Sequence, residues 1–371
     1  PVVPGETLLF LDEIQKSEDV IHSLWFFKED YSELHVIAAG SLLEFALKNL
    51  SSFGVGRVSS LFVYPMSFDE FLTATGQEGL LRIKRNSSPT NPLPEAFYNR
   101  LVEAFRSYML VGGMPEAVAT YTETGSYRYS SDIVNEIIQG YQDDFAKYGA
   151  KANPLLLRQT LISVAHQAGA KFVCSRVEGQ YRSAEVKVAL EMLKDAGLII
   201  PTYHTDANGV PLGAEINERV VKYLIHDTGV LLGILGIDDD IDERIKEMMV
   251  ADSIDLVDKG HVAEMMAGLE LIKYSSPQKR HQLYYWQNMN KGTCAEVDYV
   301  IARSGSIVPI EVKSGVKGSM SSMYSLMRNP QKHIEMGIRC SLENFGTFAS
   351  PDGKKIDIIP LYAISNLFAE K

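Results

Sequence analysis

Cysteine is scarce: 371 residues hold three, Cys174, Cys294 and Cys340, too far apart for a CxxC pair. An odd, dispersed set is no disulfide framework, and a structural zinc is not expected. The eight histidines show no HExxH pattern or close ligand spacing, so each reads as a surface or core residue. Positive charge is also short, with 36 Lys and Arg against 47 Asp and Glu for a net charge of −11. This argues against coating nucleic acid by bulk electrostatics and leaves room only for a local basic groove. No run approaches the roughly 18 to 20 apolar residues of a membrane helix. Residues Pro1 to Thr7 have neither the basic start nor the apolar stretch of a signal peptide, so a cytoplasmic chain without membrane contact is expected. The acidic run Asp238 to Glu243 lacks the glycine and closing glutamate of an EF-hand and reads as a solvated turn. What is present, 46% hydrophobic and 22% charged residues, suits a globular chain large enough for two or three cores.

Thr7-Leu8-Leu9-Phe10-Leu11 is a continuous apolar run between Gly5-Glu6 and Asp12-Glu13, the pattern of a strand buried on both faces of a parallel sheet. Helical spacing over Ser17 to Lys28 and a second apolar run from Leu34 to Ala39 complete a βαβ unit. A third strand is expected over Ser60 to Tyr64, and Ser67 is expected to cap a helix through Phe68, Phe71 and Leu72. The proline-rich stretch Asn86 to Pro94 reads as a linker, followed by helices over Glu95 to Val111 and Asp132 to Tyr148. These two are joined by the Gly112-Gly113-Met114-Pro115 turn and a polar stretch from Thr122 to Ser131. Next come a helix over Leu155 to His166, a capping box at Ser175 and Glu178, a helix over Ser183 to Ala196 ended by Gly197, and a hairpin through Asn208-Gly209. Three helices and a β-wing predict a winged helix whose third helix offers Arg182, Lys187 and Lys194 outward. With Glu185, Glu191 and Asp195 nearby, the same surface also suits protein contacts alone. The final region predicts a helix from His261 to Tyr274 and strands over Gln282 to Gln287, Glu296 to Ala302, Ile307 to Val312 and Asp357 to Leu361.

Two acids ending a buried strand, Asp12 and Glu13, stand where open α/β folds bind ligands. The series Asp12-Glu13-Ile14-Gln15, Ile37-Ala38-Ala39-Gly40-Ser41, Gly56-Arg57 and Pro65 to Phe71 resembles the latter half of an AAA-type ATPase module. More narrowly, the chain resembles a large bacterial and archaeal family of predicted ATPases whose C-terminal half is a domain of unknown function. The signatures Val111 to Glu116, Lys222 to Gly229, Glu296 to Val300 and Ile310 to Lys313 extend the likeness over essentially the whole chain. The resemblance implies that Asp12 and Glu13 are Walker B acids, Asp12 holding magnesium and Glu13 serving as the ATPase base. It makes Ser41 the polar sensor and Arg57 an arginine acting on a γ-phosphate in a neighbouring subunit. Helix capping for Ser41 and a surface loop charge for Arg57 are the plainer alternatives. No G-x-x-x-x-G-K-[ST] occurs anywhere in the sequence. The chain is therefore expected to lack the P-loop part of its module, or to be a degenerate paralogue. ATP is expected to bind the full-length parent and not this chain.

Asp298 lies in one expected strand and Glu311-Val312-Lys313 in the next, separated by a Ser304-Gly305-Ser306 turn. Side chains two apart on a strand share a face, so the pair of strands can gather all three polar groups. The arrangement resembles the PD-(D/E)xK nuclease superfamily, which implies Mg²⁺ held by Asp298 and Glu311, with Lys313 positioning the nucleophile or stabilising the transition state. Glu264 on the preceding helix matches the superfamily's additional acid, and Glu296 is a same-face alternative ligand. The competing reading is a buried ion-paired cluster kept as an inert scaffold. Trp286, beside Tyr284 and Tyr285, is a weaker candidate for stacking a base.

The expected architecture is an α/β multidomain chain: a partial P-loop AAA-type module over 1–85, a helical segment over 86–150, a winged helix and connector over 151–258, and a restriction-endonuclease-like α/β domain over 259–371. The expected function is an AAA-type ATPase associated with nucleic acid, DNA before RNA, through the winged helix and a Mg-dependent nuclease-like domain. The alternative is a regulatory or DNA-binding ATPase with an inert nuclease-like scaffold. A homo-oligomer fits an AAA module, and the protein partner is not legible.

Overall fold

The computed structural model describes residues 2–40, 57–146, 153–236, 259–288, 295–315 and 318–368. It is a mixed α/β, multidomain protein, and no helix among the described residues is long and apolar enough to cross a membrane.

At the N-terminus β1 (Leu8–Leu11) and β2 (His35–Ala38) pair in parallel, Leu8 opposite His35 and Leu11 opposite Ala38, with α1 (Glu18–Asp30) between them in sequence. Ser17 caps α1 by accepting from Val20 N, and Glu18 and Asp19 complement the helix dipole in its first turn. Alternation divides the strands: Leu11, Val36 and Ala38 pack with Ile14, Ile21 and Leu24, whereas Leu8, Phe10 and Ile37 are exposed, Phe10 by 57%. The expected burial on both faces is therefore corrected to one, because α1 covers one side and no described element covers the other. The expected strand over Ser60 to Tyr64 is also absent: Phe62 N donates to Pro277 O at 2.8 Å, no strand pairs alongside, and Val63 is 93% exposed. Strand propensity without a neighbouring ladder leaves an extended connection.

The next helices build one large core. They are α2 (Phe68–Ala74), α3 (Glu78–Arg85), α4 (Glu95–Val111), α5 (Pro115–Thr124) and α6 (Tyr127–Phe145), followed by α7 (Pro154–His166) and α8 (Ser183–Asp195). Ser67 and Glu70 form the capping box of α2, with the Glu70 carboxylate accepting from Ser67 N at 2.7 Å. Phe68, Phe71, Phe105 and Tyr108 pack at its centre, Phe68 meeting Phe105 edge to face and Tyr108 tilted against both Phe68 and Phe71. The proline-rich 86–94 segment joins two helices of this same core, as Leu80 and Leu81 on one side and Leu101 and Phe105 on the other belong to it. Where a polar connection from Thr122 to Ser131 is expected, α5 runs through Thr124 and α6 starts at Tyr127, capped by Ser126. The Ser175–Glu178 capping box is replaced by a single 3-10 turn, Cys174–Arg176, too short to present the free amides such a box satisfies.

After α8 the chain enters β3 (Ile199–Thr205) and β4 (Ile216–Ile225), an antiparallel pair, then α9 (Thr228–Ile234) and α10 (Lys259–Lys273). Lys171 forms an isolated bridge to Lys222, adding one more rung beside β4. β3 also pairs in parallel with β5 (Leu283–Gln287), and β5 pairs with the short β6 (Glu296–Val297). A five-stranded sheet follows in the order β10 (Gly346–Ala349), β11 (Lys355–Pro360), β9 (Met336–Ser341), β8 (Ser306–Val312) and β7 (Tyr299–Arg303). Because β6 and β7 are one strand interrupted at Asp298, the two sheets meet at that residue. Ser304 and Gly305, both at positive φ, close the β7–β8 hairpin with the twist such turns need. α11 (Ser321–Arg328) packs over β8 and β9 through Met323 and Leu326, while α10 lies over the other face.

One end of α10 is fastened to the segment ahead of α2. Glu270, 2% exposed, accepts from Tyr108 OH at 2.8 Å and Phe68 N at 3.2 Å. Lys273 donates to Met66 O at 3.0 Å, and Tyr274 OH donates to Asp69 Oδ1 at 2.9 Å. Asp69 also holds the fully buried Lys84; burial raises the Asp69 carboxyl, but the charge and hydrogen bond of Lys84, the Tyr274 hydroxyl and Arg85 together keep it below its usual range.

Candidate functional site

The break between β6 and β7 centres a cluster of four carboxylates and two ammonium groups. Tyr299 pairs with Ile310, which sets Asp298 beside the end of β8, and Asp298 Oδ2 accepts from Val312 N at 2.7 Å. Glu311, 5% exposed, accepts from Lys313 Nζ at 2.7 Å through Oε1, while its buried Oε2 has no hydrogen-bond partner among the described residues. α10 brings in Glu264, β6 brings Glu296, and β4 brings Lys222, which donates to Glu264 at 2.8 Å and to Glu296 at 2.5 Å. The hairpin thus gathers Asp298, Glu311 and Lys313, and α10 adds Glu264, as the strand periodicity implies.

Crowding of acids in a dry place sets the electrostatics. Burial first, and then Asp298 and Glu296, push the Glu264 carboxyl up to about 8 against the pull of Lys222. Burial and Asp298 raise Glu311 to about 7, and burial raises Asp298 despite the Val312 amide. Lys222 is held firmly charged: the two glutamates overcome its desolvation.

Lys222 enters the sequence pattern only as the start of the Lys222 to Gly229 signature, yet the fold brings it into this cluster. A lysine inside the otherwise apolar run Val220 to Ile225 was the available signal, since a buried ammonium requires carboxylate partners. The rest of that signature is structural. Asp227 accepts from Gly113 N at 2.6 Å and caps α9 by accepting from Val230 N at 3.2 Å. Gly112, at φ 79°, and Gly113 must lack side chains: a β-carbon on the first would come within 2.8 Å of Gly229 N, and on the second within 2.9 Å of Met66 N. His226 lies between Tyr141 OH and Leu198 O, and burial holds its imidazole neutral.

Asp12 and Glu13 stand at the carboxyl end of β1, next to the end of β2, where Ala39 N donates to Leu11 O at 2.8 Å. Asp12 Oδ1 accepts from Glu13 N, and Glu13, at φ 53°, accepts from Gln15 at 2.8 Å and pairs with Lys16 at 3.5 Å. Arg57 is turned to α1, paired with Glu29 at 2.5 Å and stacked over Trp25. Ser41 lies outside the described residues. Arg182, at the N-cap of α8, and Lys187 on it are exposed, whereas Lys194 is half-buried and paired with Glu191, which removes it from the outward basic set. Trp286 is buried in the core beneath α11 with Lys332 over its ring, and both side chains line an open cavity beside Asn208 and Ser325.

Oxygen donors of this kind suit hard cations such as Mg²⁺ or Mn²⁺, and the partnerless Glu311 Oε2 is an atom that such an ion would satisfy. Among the described residues no three carboxylate, histidine or cysteine side chains converge as a ready-made metal site. Lys222 stands between Glu264 and Glu296, and Lys313 sits on Glu311.

Three family models match separate parts of the chain, and the middle one runs across the boundary expected at 150/151. Residues 2–72 match the family model described as an AAA domain, residues 102–241 match a domain of unknown function (DUF8612), and residues 259–364 match a domain of unknown function (DUF4143). Among solved structures, a Walker-type ATPase of Pyrococcus abyssi aligns at 18% identity and a TM-score of 0.41, covering 62% of this chain and 63% of that one. A search of the curated proteins returns no match. The AAA-type ATPase relationship therefore rests on the N-terminal match, which coincides with the segment that carries Asp12 and Glu13.

Proposed function

We propose that this chain is the nucleic-acid-directed portion of an AAA-type ATPase, with a divalent-metal-dependent, phosphodiester-hydrolysing centre built from Asp298, Glu311, Lys313 and Glu264. The observation that carries the reading is the placing of Asp298, Glu311 and Lys313 on one hairpin with Glu264 on the helix packed against it, and one buried carboxylate oxygen of Glu311 without a hydrogen-bond partner among the described residues. Asp298, Glu311 and Glu264 would hold Mg²⁺, which supplies water activation and charge neutralisation when bound. Lys313 orients Glu311 and offers positive charge to the phosphate. In hydrolysis, water oxygen bonds to phosphorus, one P–O ester bond breaks, and the leaving oxygen takes a proton. α7, the Lys171 bridge, α8 and the β3–β4 hairpin follow in winged-helix order, and Arg182 and Lys187 form its exposed basic edge. Asp12 and Glu13 would serve Mg-ATP where a complete nucleotide site is formed.

The test is cleavage of mixed single- and double-stranded DNA and RNA with Mg²⁺ or Mn²⁺. Wild-type cleavage that falls by roughly 10² or more in Asp298→Asn and Lys313→Ala supports the reading. Cleavage equal in all three proteins, or none on any substrate, refutes it. The Lys222 ion pairs favour a second reading, an inert scaffold on a regulatory ATPase, which expects no metal-dependent cleavage.

A further inference from the structure

The carboxylate centre contains a cation of its own from outside the Asp, Glu, Lys trio. Lys222 reaches it from the middle of β4, with its side chain 1% exposed and its ammonium shared between Glu264 and Glu296. The ammonium also lies 5.0 Å from the centre of the Tyr285 ring. An apolar residue would serve strand β4 as well, because removing an ammonium from water costs several kcal/mol, on the order that only good pairing repays. Its position is therefore set by charge. Two further atoms on the same sheet face are buried without hydrogen-bond partners among the described residues: Thr202 Oγ1, directly across the ladder from Lys222, and His204 Nδ1, whose ring meets the edge of Tyr285. Both are acceptors, as His204 Nε2 is directed at Gln287 O.

We propose that Lys222 is a resident counter-cation of the carboxylate centre, which a divalent metal must displace from Glu264 and Glu296, with Thr202 Oγ1 receiving the displaced ammonium. This rests on the metal-dependent reading above and adds the means by which the site is kept closed. The metal-free protein holds its acids with an internal positive charge. The site opens only when the ammonium leaves, a swing along the face of the sheet rather than a movement of backbone.

Mn²⁺ titration by calorimetry, with melting temperature as a parallel readout, tests this on the wild type, Lys222→Met and Lys222→Met combined with Asp298→Asn. The expected result is binding about tenfold tighter in Lys222→Met, the gain for a site otherwise open about a tenth of the time. The combined variant should lose that binding. Wild-type binding that Lys222→Met leaves equal or weakens overturns the displacement proposal and leaves the metal-dependent reading standing. Absence of binding in both wild type and Lys222→Met overturns both. Should Lys222→Met fail to fold, the wild type itself decides through lysine ¹⁵Nζ spectra during Mg²⁺ titration. A solvent-protected ammonium that shifts as the metal saturates supports displacement, and saturation without change in any protected ammonium refutes it.

Discussion

Replacing Asp227 with alanine removes two contacts at once. The carboxylate caps α9 through Val230 N, and loss of such a cap costs about 1 kcal/mol. It also accepts from Gly113 N at 2.6 Å in a place closed to water, so the variant leaves a buried amide unsatisfied at a cost of about 1–3 kcal/mol. Together these give about 2–4 kcal/mol, enough to lower the melting temperature of a core of this size by about 5 °C or more. Asp227→Asn keeps one acceptor oxygen and should fall between the alanine variant and the wild type. Differential scanning calorimetry resolves the order. A shift under about 2 °C for Asp227→Ala would refute the account, because it would mean that the Gly113 amide finds another acceptor and that the Gly112-Gly113 turn does not depend on Asp227.

Two other perturbations probe the charged groups. With Glu311 raised to about 7 and Glu264 to about 8, protons compete with metal, so Mn²⁺ affinity should strengthen as pH rises through 7 to 8 and binding should release protons, as read by calorimetry in buffers of differing ionisation enthalpy. The metal-free fold has the opposite dependence: carboxyls raised above their unfolded values stabilise most below the usual carboxylate range, and this contribution is lost as pH passes through 7 to 8. Removing Arg182 and Lys187 together should weaken binding of a DNA duplex and flatten its salt dependence, with the slope falling by about 2 if each contacts a phosphate. An unchanged slope would remove α8 from the nucleic-acid surface.

Local patterns in the sequence are legible where one element decides the outcome. Glu95–Val111 is a helix over the expected span, and Ser67 with Glu70 forms a capping box because the three-residue spacing alone dictates it. The Asp298, Glu311, Lys313 group was legible because strand alternation and a glycine turn bring it together within sixteen residues of sequence. Features decided by distant neighbours were not. Lys222 meets Glu264 and Glu296 only through β3, β5 and α10, and Ser60 to Tyr64 has strand composition without a ladder to join. β9 is not legible in the sequence because buried Arg339, paired with Glu343, breaks the apolar run.

Helix α10 spans two anchorages whose chemistry differs. Glu264 stands in the carboxylate centre; six residues on, Glu270 grips Phe68 N and Tyr108, and Lys273 grips Met66 O. At the rise of an α-helix these points are about 9 Å apart, a distance over which a helix scarcely bends. Phe68 lies near the end of the stretch that matches an AAA domain, so a pull on that stretch is delivered to a rigid beam. The beam leaves two outcomes: the buried bonds at Met66 and Phe68 break, or the Glu264 carboxylate moves with them.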